Sequence, residues 1–212
     1  QETVPVALSD SLCGGGGPGS QHGGGMVQAR SPVQQGQGTP RSIVTRPQDA
    51  DDPVGARHRG LHHGMFLPMK LMYPEGSVPT IQLSLVSSLD PAIHLAIGEA
   101  LRNVTGEGVA IVGSGLSFHN MAALGRSDPA SLDRSRRFDD WLVDTCTDPD
   151  LDPAQRAARL IDWEAAPEAR FSHPREEHLL PLHVCAGAAG LAAGAAVYRD
   201  ELFAKRVSAI LW

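Results

Sequence analysis

The pattern of apolar and polar positions divides the chain near Gly60. Before that point apolar residues are sparse and recur with a period of neither 2 nor 3.6. Glycine, glutamine, serine and proline dominate, with Gly14 to Gly17 in one run and Gly23 to Gly25 in another. Such a stretch buries too little surface to offset its ordering entropy. Residues 1–59 are therefore expected to be low-complexity and disordered, or the product of a misread frame. Ile43-Val44 is strand-like but too short to change that expectation.

From Gly60 onward the pattern is that of a globular domain, 60–212. Val78 to Val86 alternates and is rich in β-branched residues, which predicts a strand. Pro91 to Val104 places Ile93, Ile97, Ala100, Leu101 and Val104 at helical spacing, with Asp90 as N-cap and Pro91 at the first helical position. Met65 to Tyr73 reads as a short helix. Val109 to Val112 reads as a short buried strand ending in Gly113-Ser114-Gly115. Helices are expected over Leu132 to Thr145 and Pro153 to Ala166. A further one, entered at Ser172 to Pro174, is expected from Arg175 to Ala193. Arg206 to Trp212 is the expected last strand. This alternation predicts an α/β fold with a central mixed sheet flanked by helices on both faces.

Composition narrows the function classes. The 212 residues suffice for one sizeable domain. A net charge of -6 and 5 % aromatic residues argue against a nucleic-acid binder. No apolar run is long enough for a transmembrane helix. Cys13, Cys146 and Cys185 form no CxxC pair, and an odd count argues against a disulfide framework, so a reducing, cytoplasmic setting is expected.

The nine histidines are the candidate chemistry, and seven of them follow Gly60. His119 lies in a loop beyond a strand and a glycine turn, where ligands bind in α/β sheets; it is alternatively a cap of the next helix. His178 falls near the predicted start of a helix, and His183 follows five positions on, about 140° around the helix. The two share no face, so His183 reads as a core or supporting residue. His173 reads as a helix cap and His94 as structural. His62 and His63 sit between glycines before the first helix, either as a surface pair or as a substrate-facing acid/base pair. His22 and His58 lie in the linker-like stretch. Gly115-Leu116-Ser117-Phe118-His119 is a broken form of the G-x-S-x-G nucleophile elbow, which leaves a serine hydrolase using Ser117 as a distant third reading.

Four segments in order resemble the class III extradiol ring-cleavage dioxygenases of the DOPA 4,5-dioxygenase-like group. They are Gly60-Leu61-His62-His63-Gly64 with Pro68 to Glu75, Val78 to Leu85, Gly113 to Asn120, and Pro174 to Leu182. The resemblance implies a metal-dependent oxidoreductase with one Fe(II) or Zn(II). It would open a catechol ring with O2 beside the diol. It implies that His178 is a metal ligand and that His119 is either a ligand or the acid/base beside the metal. His63 is implied as a catalytic histidine lining the substrate pocket, while His62 stands where the family often has aspartate. Neutral imidazoles suit Fe(II), and a base must take a catechol proton. The family's N-terminal Ser-His-Gly and Ser-Ala-His-Trp strings do not occur here. A chain of this form is therefore expected to lack about half the metal shell and the N-terminal strands of its sheet, which makes a non-catalytic relative the alternative.

Overall fold

The computed structural model describes residues 7–9, 24–25, 43–45, 63–76 and 78–212. Strands β1 (Ala7–Ser9), β2 (Gly24–Gly25) and β3 (Ile43–Thr45) precede helix α1 (His63–Met72). Strand β4 (Ile81–Ser84), helix α2 (Pro91–Thr105) and strand β5 (Val112–Ser114) follow. Then come α3 (Pro129–Thr147), α4 (Pro153–Ile161), a 3-10 turn (Trp163–Ala165), α5 (Ala169–Ser172) and α6 (Leu180–Ala188). A hairpin of β6 (Ala195–Leu202) and β7 (Lys205–Leu211) closes the chain.

The mixed α/β class agrees with the sequence pattern. One sheet has the order β3-β4-β2-β1-β5, with β1–β5 and β3–β4 parallel and β1–β2 and β2–β4 antiparallel. Its first three strands in the chain come from the glycine-rich stretch. Ile43-Val44, read as too short to matter, pairs with Ile81-Gln82. Pairing supplies the hydrogen bonds that so short a segment cannot provide for itself.

Three helices begin on Asp-Pro, and the reason is local. Asp90, Asp128 and Asp152 each accept from backbone N–H groups of the first turn, while the proline at the first helical position has no N–H to leave unpaired. Asp152 and Gln155 complete a reciprocal capping box. Helix α4 ends sooner than its apolar pattern suggests, and the chain tightens into the 3-10 turn that buries Trp163.

The helix expected from Arg175 to Ala193 is corrected at both ends. It runs only from Leu180 to Ala188. A start at Arg175 would put Pro181 in the helix interior, where its ring and missing N–H break the turn. At the other end Gly190 adopts a left-handed φ of 65°, and Leu191 N–H donates to the Ala186 carbonyl at 2.8 Å, which stops the helix. Beyond the turn, Ala195–Leu202 forms β6, a strand that the sequence pattern does not predict. Its strand character comes from β7, with Phe203 and Ala204 both left-handed in the two-residue turn.

The main core lies where α3, α4, α5 and α6 meet. It contains Phe138, Leu142, Cys146, Leu160, Trp163 and Leu179. Helices α2 and α6 touch backbone to backbone: a Cβ on Gly98 would stand 2.1 Å from the Val184 carbonyl, and one on Gly187 2.2 Å from that of Leu95. Among the described residues, no helix is long and apolar enough to cross a membrane.

Candidate active site

The site grows from β5. That strand occupies Val112–Ser114 rather than the expected Val109–Val112. Gly113 therefore sits inside the strand and does not end it. A Cβ there would meet Cys185 Sγ at 2.8 Å and the Pro181 carbonyl at 3.0 Å, so glycine lets β5 lie directly on the start of α6. One step on, a Cβ at Gly115 would stand 2.2 Å from the His178 carbonyl oxygen. The two glycines press the loop carrying His119 against the turn carrying His178.

Phe118 anchors that loop. It is buried with Ala123 and Val207 and meets Phe171 edge-on at 5.7 Å. The next residue, His119, then projects back over the 173–179 turn. Its ring stacks on that of His178, with centroids 3.3 Å apart and planes at 25°. Two imidazolium cations at that separation would repel strongly. Burial pushes the His119 pKa down. Burial, then the neighbouring His119 and His173, hold His178 down to about 3. Both rings are therefore neutral near pH 7, the form that donates a lone pair to a metal or accepts a proton. His119 Nε2 is buried with no hydrogen-bond partner among the described residues.

His173 joins this pair, and sequence reading had taken it only as a cap. Its ring is fully buried, 5.2 Å from Phe138 and 6.0 Å from Trp163, and burial drives its pKa to about 3. Its Nε2 lies 3.0 Å from the Ser117 carbonyl, 56 positions away in sequence. No local pattern advertises a contact of that range.

The other histidines sort as follows. His183 is a core residue, with Nε2 2.8 Å from the Leu160 carbonyl and Nδ1 3.3 Å from that of Leu179. His94 is structural: Nδ1 donates to the Asp90 carbonyl at 2.6 Å and Nε2 accepts from Val86 N–H at 3.2 Å. His63 opens α1, and its side chain lies outside the described residues, as do His22, His58 and His62. The serine-hydrolase reading loses its base. Ser117 Oγ accepts from Ser208 N–H at 2.8 Å, and the histidine beside Ser117 addresses its carbonyl, not its hydroxyl.

A cavity of about 940 Å³ opens between β5, α6 and β7. Val112, Gly113, Pro181 and Cys185 line it, and it meets the histidine pair at His178 only. Two imidazoles fit part of a metal shell. Among the described residues, no group of three or more histidine, cysteine, aspartate or glutamate side chains is arranged to hold an ion.

The two stacked, neutral imidazoles lie beyond a strand end, where α/β folds bind ligands, and each has a lone pair able to accept a proton or a metal ion. Residues 47–209 match the family described as the catalytic LigB subunit of aromatic ring-opening dioxygenase. The chain belongs to that family, whose dioxygenases are metal-dependent. It is 37 % identical over 180 residues to the dioxygenase tasH of Hapsidospora irregularis, covering 79 % of this chain and 54 % of that protein. It is also 37 % identical over 134 residues to a 4,5-DOPA dioxygenase extradiol of Beta vulgaris, covering 63 % of this chain and 48 % of the relative. A protein of that name from Escherichia coli is 28 % identical over 130 residues, covering 61 % of this chain and 47 % of the relative. This chain thus spans about half the length of the relatives it matches. In fold it is similar to the crystal structure of an uncharacterized Escherichia coli protein, with a TM-score of 0.63 at 19 % identity over 99 % of this chain and 80 % of that one.

Proposed function

We propose that this chain carries the C-terminal part of a metal-dependent extradiol dioxygenase site that opens a catechol-type ring with O2. The observation that carries the reading is the neutral His119–His178 stack, with a bare His119 Nε2, in a chain of this family. His178 is the assigned metal ligand. His119 is either a second ligand or the base that takes a substrate hydroxyl proton at Nε2. His63 is the assigned substrate-facing catalytic histidine. Held by His178, an Fe(II) or Zn(II) ion would supply Lewis-acid chemistry to the substrate. The four relatives named 4,5-DOPA dioxygenase extradiol support a catechol as the substrate class. The reducing, cytoplasmic setting expected from the cysteine pattern forms part of the same reading, with Cys146 and Cys185 as free thiols. The division at residue 60, with 60–212 as the dioxygenase-like domain, forms part of the same reading.

Oxygen uptake by the full chain with Fe(II) and a catechol tests the proposal. His178→Ala should abolish metal retention and uptake while the circular dichroism stays unchanged, and His63→Ala should lower turnover more than metal content. Iron bound without uptake sinks the enzyme reading, and unchanged metal content in His178→Ala overturns that ligand assignment. A second reading, a folded relative that holds no metal tightly, is favoured by the two-donor set among the described residues. Stoichiometric metal retained through dialysis eliminates it.

A further inference from the structure

Segments 117–120 and 171–173 lie side by side and exchange hydrogen bonds in both directions. His119 N–H donates to the Ser172 carbonyl at 2.9 Å, and Asn120 Nδ2 donates to the Phe171 carbonyl at 2.7 Å. In the return direction His173 Nε2 meets the Ser117 carbonyl at 3.0 Å. A carbonyl only accepts, so Nε2 carries the ring proton and His173 is the Nε2–H tautomer.

Neither end of that bond can drift. The His173 ring is caged by Phe138 and Trp163. Ser117 is gripped from its other side by a chain of bonds: Ser208 N–H to Ser117 Oγ at 2.8 Å, Ser208 Oγ to Asp139 Oδ1 at 2.6 Å, and Arg199 Nε to Asp139 Oδ2 at 2.8 Å. Carbonyl and hydroxyl of Ser117 are both held, two residues before His119.

The imidazole at 173 is costly. Its Nδ1 is buried with no hydrogen-bond partner among the described residues. Leaving such an acceptor bare is destabilising. An apolar side chain of similar size would fill the cage without that cost. The bond to Ser117 is what an imidazole provides there and an apolar side chain cannot.

We propose that His173 is a positioning residue for His119: its caged Nε2–H fixes the Ser117 carbonyl and thereby holds the His119 ring in its stack on His178. The purpose of this positioning rests on the dioxygenase reading. The positioning itself is a property of the metal-free chain, and it is tested there.

Proton NMR of the full, metal-free chain reads the stack directly, because the His178 ring shifts the His119 ring protons upfield. His173→Gln can place an amide N–H where Nε2 stands; His173→Leu fills the cage and donates nothing. The glutamine variant should keep the His119 shifts, and the leucine variant should return them toward unstacked values, while the β6–β7 amide signals show both variants folded. Unchanged His119 shifts in His173→Leu overturn the proposal. So does their loss in a folded His173→Gln variant. Should the leucine variant not fold, the wild type decides: a slowly exchanging His173 ring N–H is expected, and its absence overturns the proposal. With Fe(II) and a catechol, His173→Leu should lower kcat roughly a hundredfold with KM little changed, the scale of a misplaced catalytic group. A chain without turnover refutes the enzyme reading and leaves the NMR result to judge the positioning.

Discussion

The histidines in two neighbouring parts of this molecule differ in how their ring nitrogens are surrounded. His183 sits in the core with both ring nitrogens facing carbonyls, those of Leu160 and Leu179. Around the His119–His178 stack, by contrast, His119 Nε2 and His173 Nδ1 are buried and bare among the described residues. His183 and His173 are fully buried, His178 is nearly so, and His119 is half-buried. The surroundings of the second nitrogen separate them: neutral His183 donates to one carbonyl while its other nitrogen still faces a carbonyl, whereas His119 Nε2 and His173 Nδ1 have no hydrogen-bond partner among the described residues. Arg156 belongs with His183. It is 1 % exposed, and its guanidinium donates to the carbonyls of Thr145, Asp148, Leu151 and Leu191.

Arg156→Met leaves those carbonyls without their donor, and it should cost about 4 kcal/mol of folding stability in urea denaturation. A loss below about 1 kcal/mol would show that the partnered region is no firmer than the site.

The next largest effect concerns His183. Burial lowers its pKa from 6.5 to about 4, against the pull of the two carbonyls. A histidine kept neutral by folding must take up a proton on unfolding in acid. Its contribution is therefore complete above pH 6.5, falls between pH 6.5 and about 4, and is constant below that. The total is about 3 kcal/mol. His94, His173 and His178 are lowered as well and add to the slope. The measurement is therefore the difference between the wild type and His183→Gln, whose stability should fall less steeply across that window. Parallel curves would assign the acid sensitivity to the other histidines.

The smallest expected loss of stability lies at the site itself. Gly115→Ala drives a methyl toward the His178 carbonyl and should cost about 1–3 kcal/mol. Its more telling consequence is local: the His119 ring-current shift should disappear while the Arg156 region keeps its hydrogen-exchange protection. Loss of both together would mean that the site and the core are one cooperative unit.

Much of this was legible from the chain. Asp-Pro pairs fix helix starts because cap and first-turn proline act within four residues. The His119 loop is marked by its place after a strand and a glycine-containing turn. His178 was found through the resemblance of its segment to a family. Other features were not legible. The start of α6 was missed although Pro181 signalled it, since the apolar run around the proline looked continuous. His173 could not be told from a cap, because its partner lies 56 positions away.

By itself, then, the sequence determined the elements whose causes are local, the α/β class, and two of the histidines that meet, His119 and His178. Tertiary structure decided the rest. It turned Ala195–Leu202 into a strand by giving it β7 as a partner. It placed Gly113 and Gly115 against Pro181 and the His178 carbonyl, and it brought His173 beneath the loop. Each of these depends on atoms far apart in the chain, and hydrogen bonds and close contacts of that kind exist only once the backbone has been folded around them.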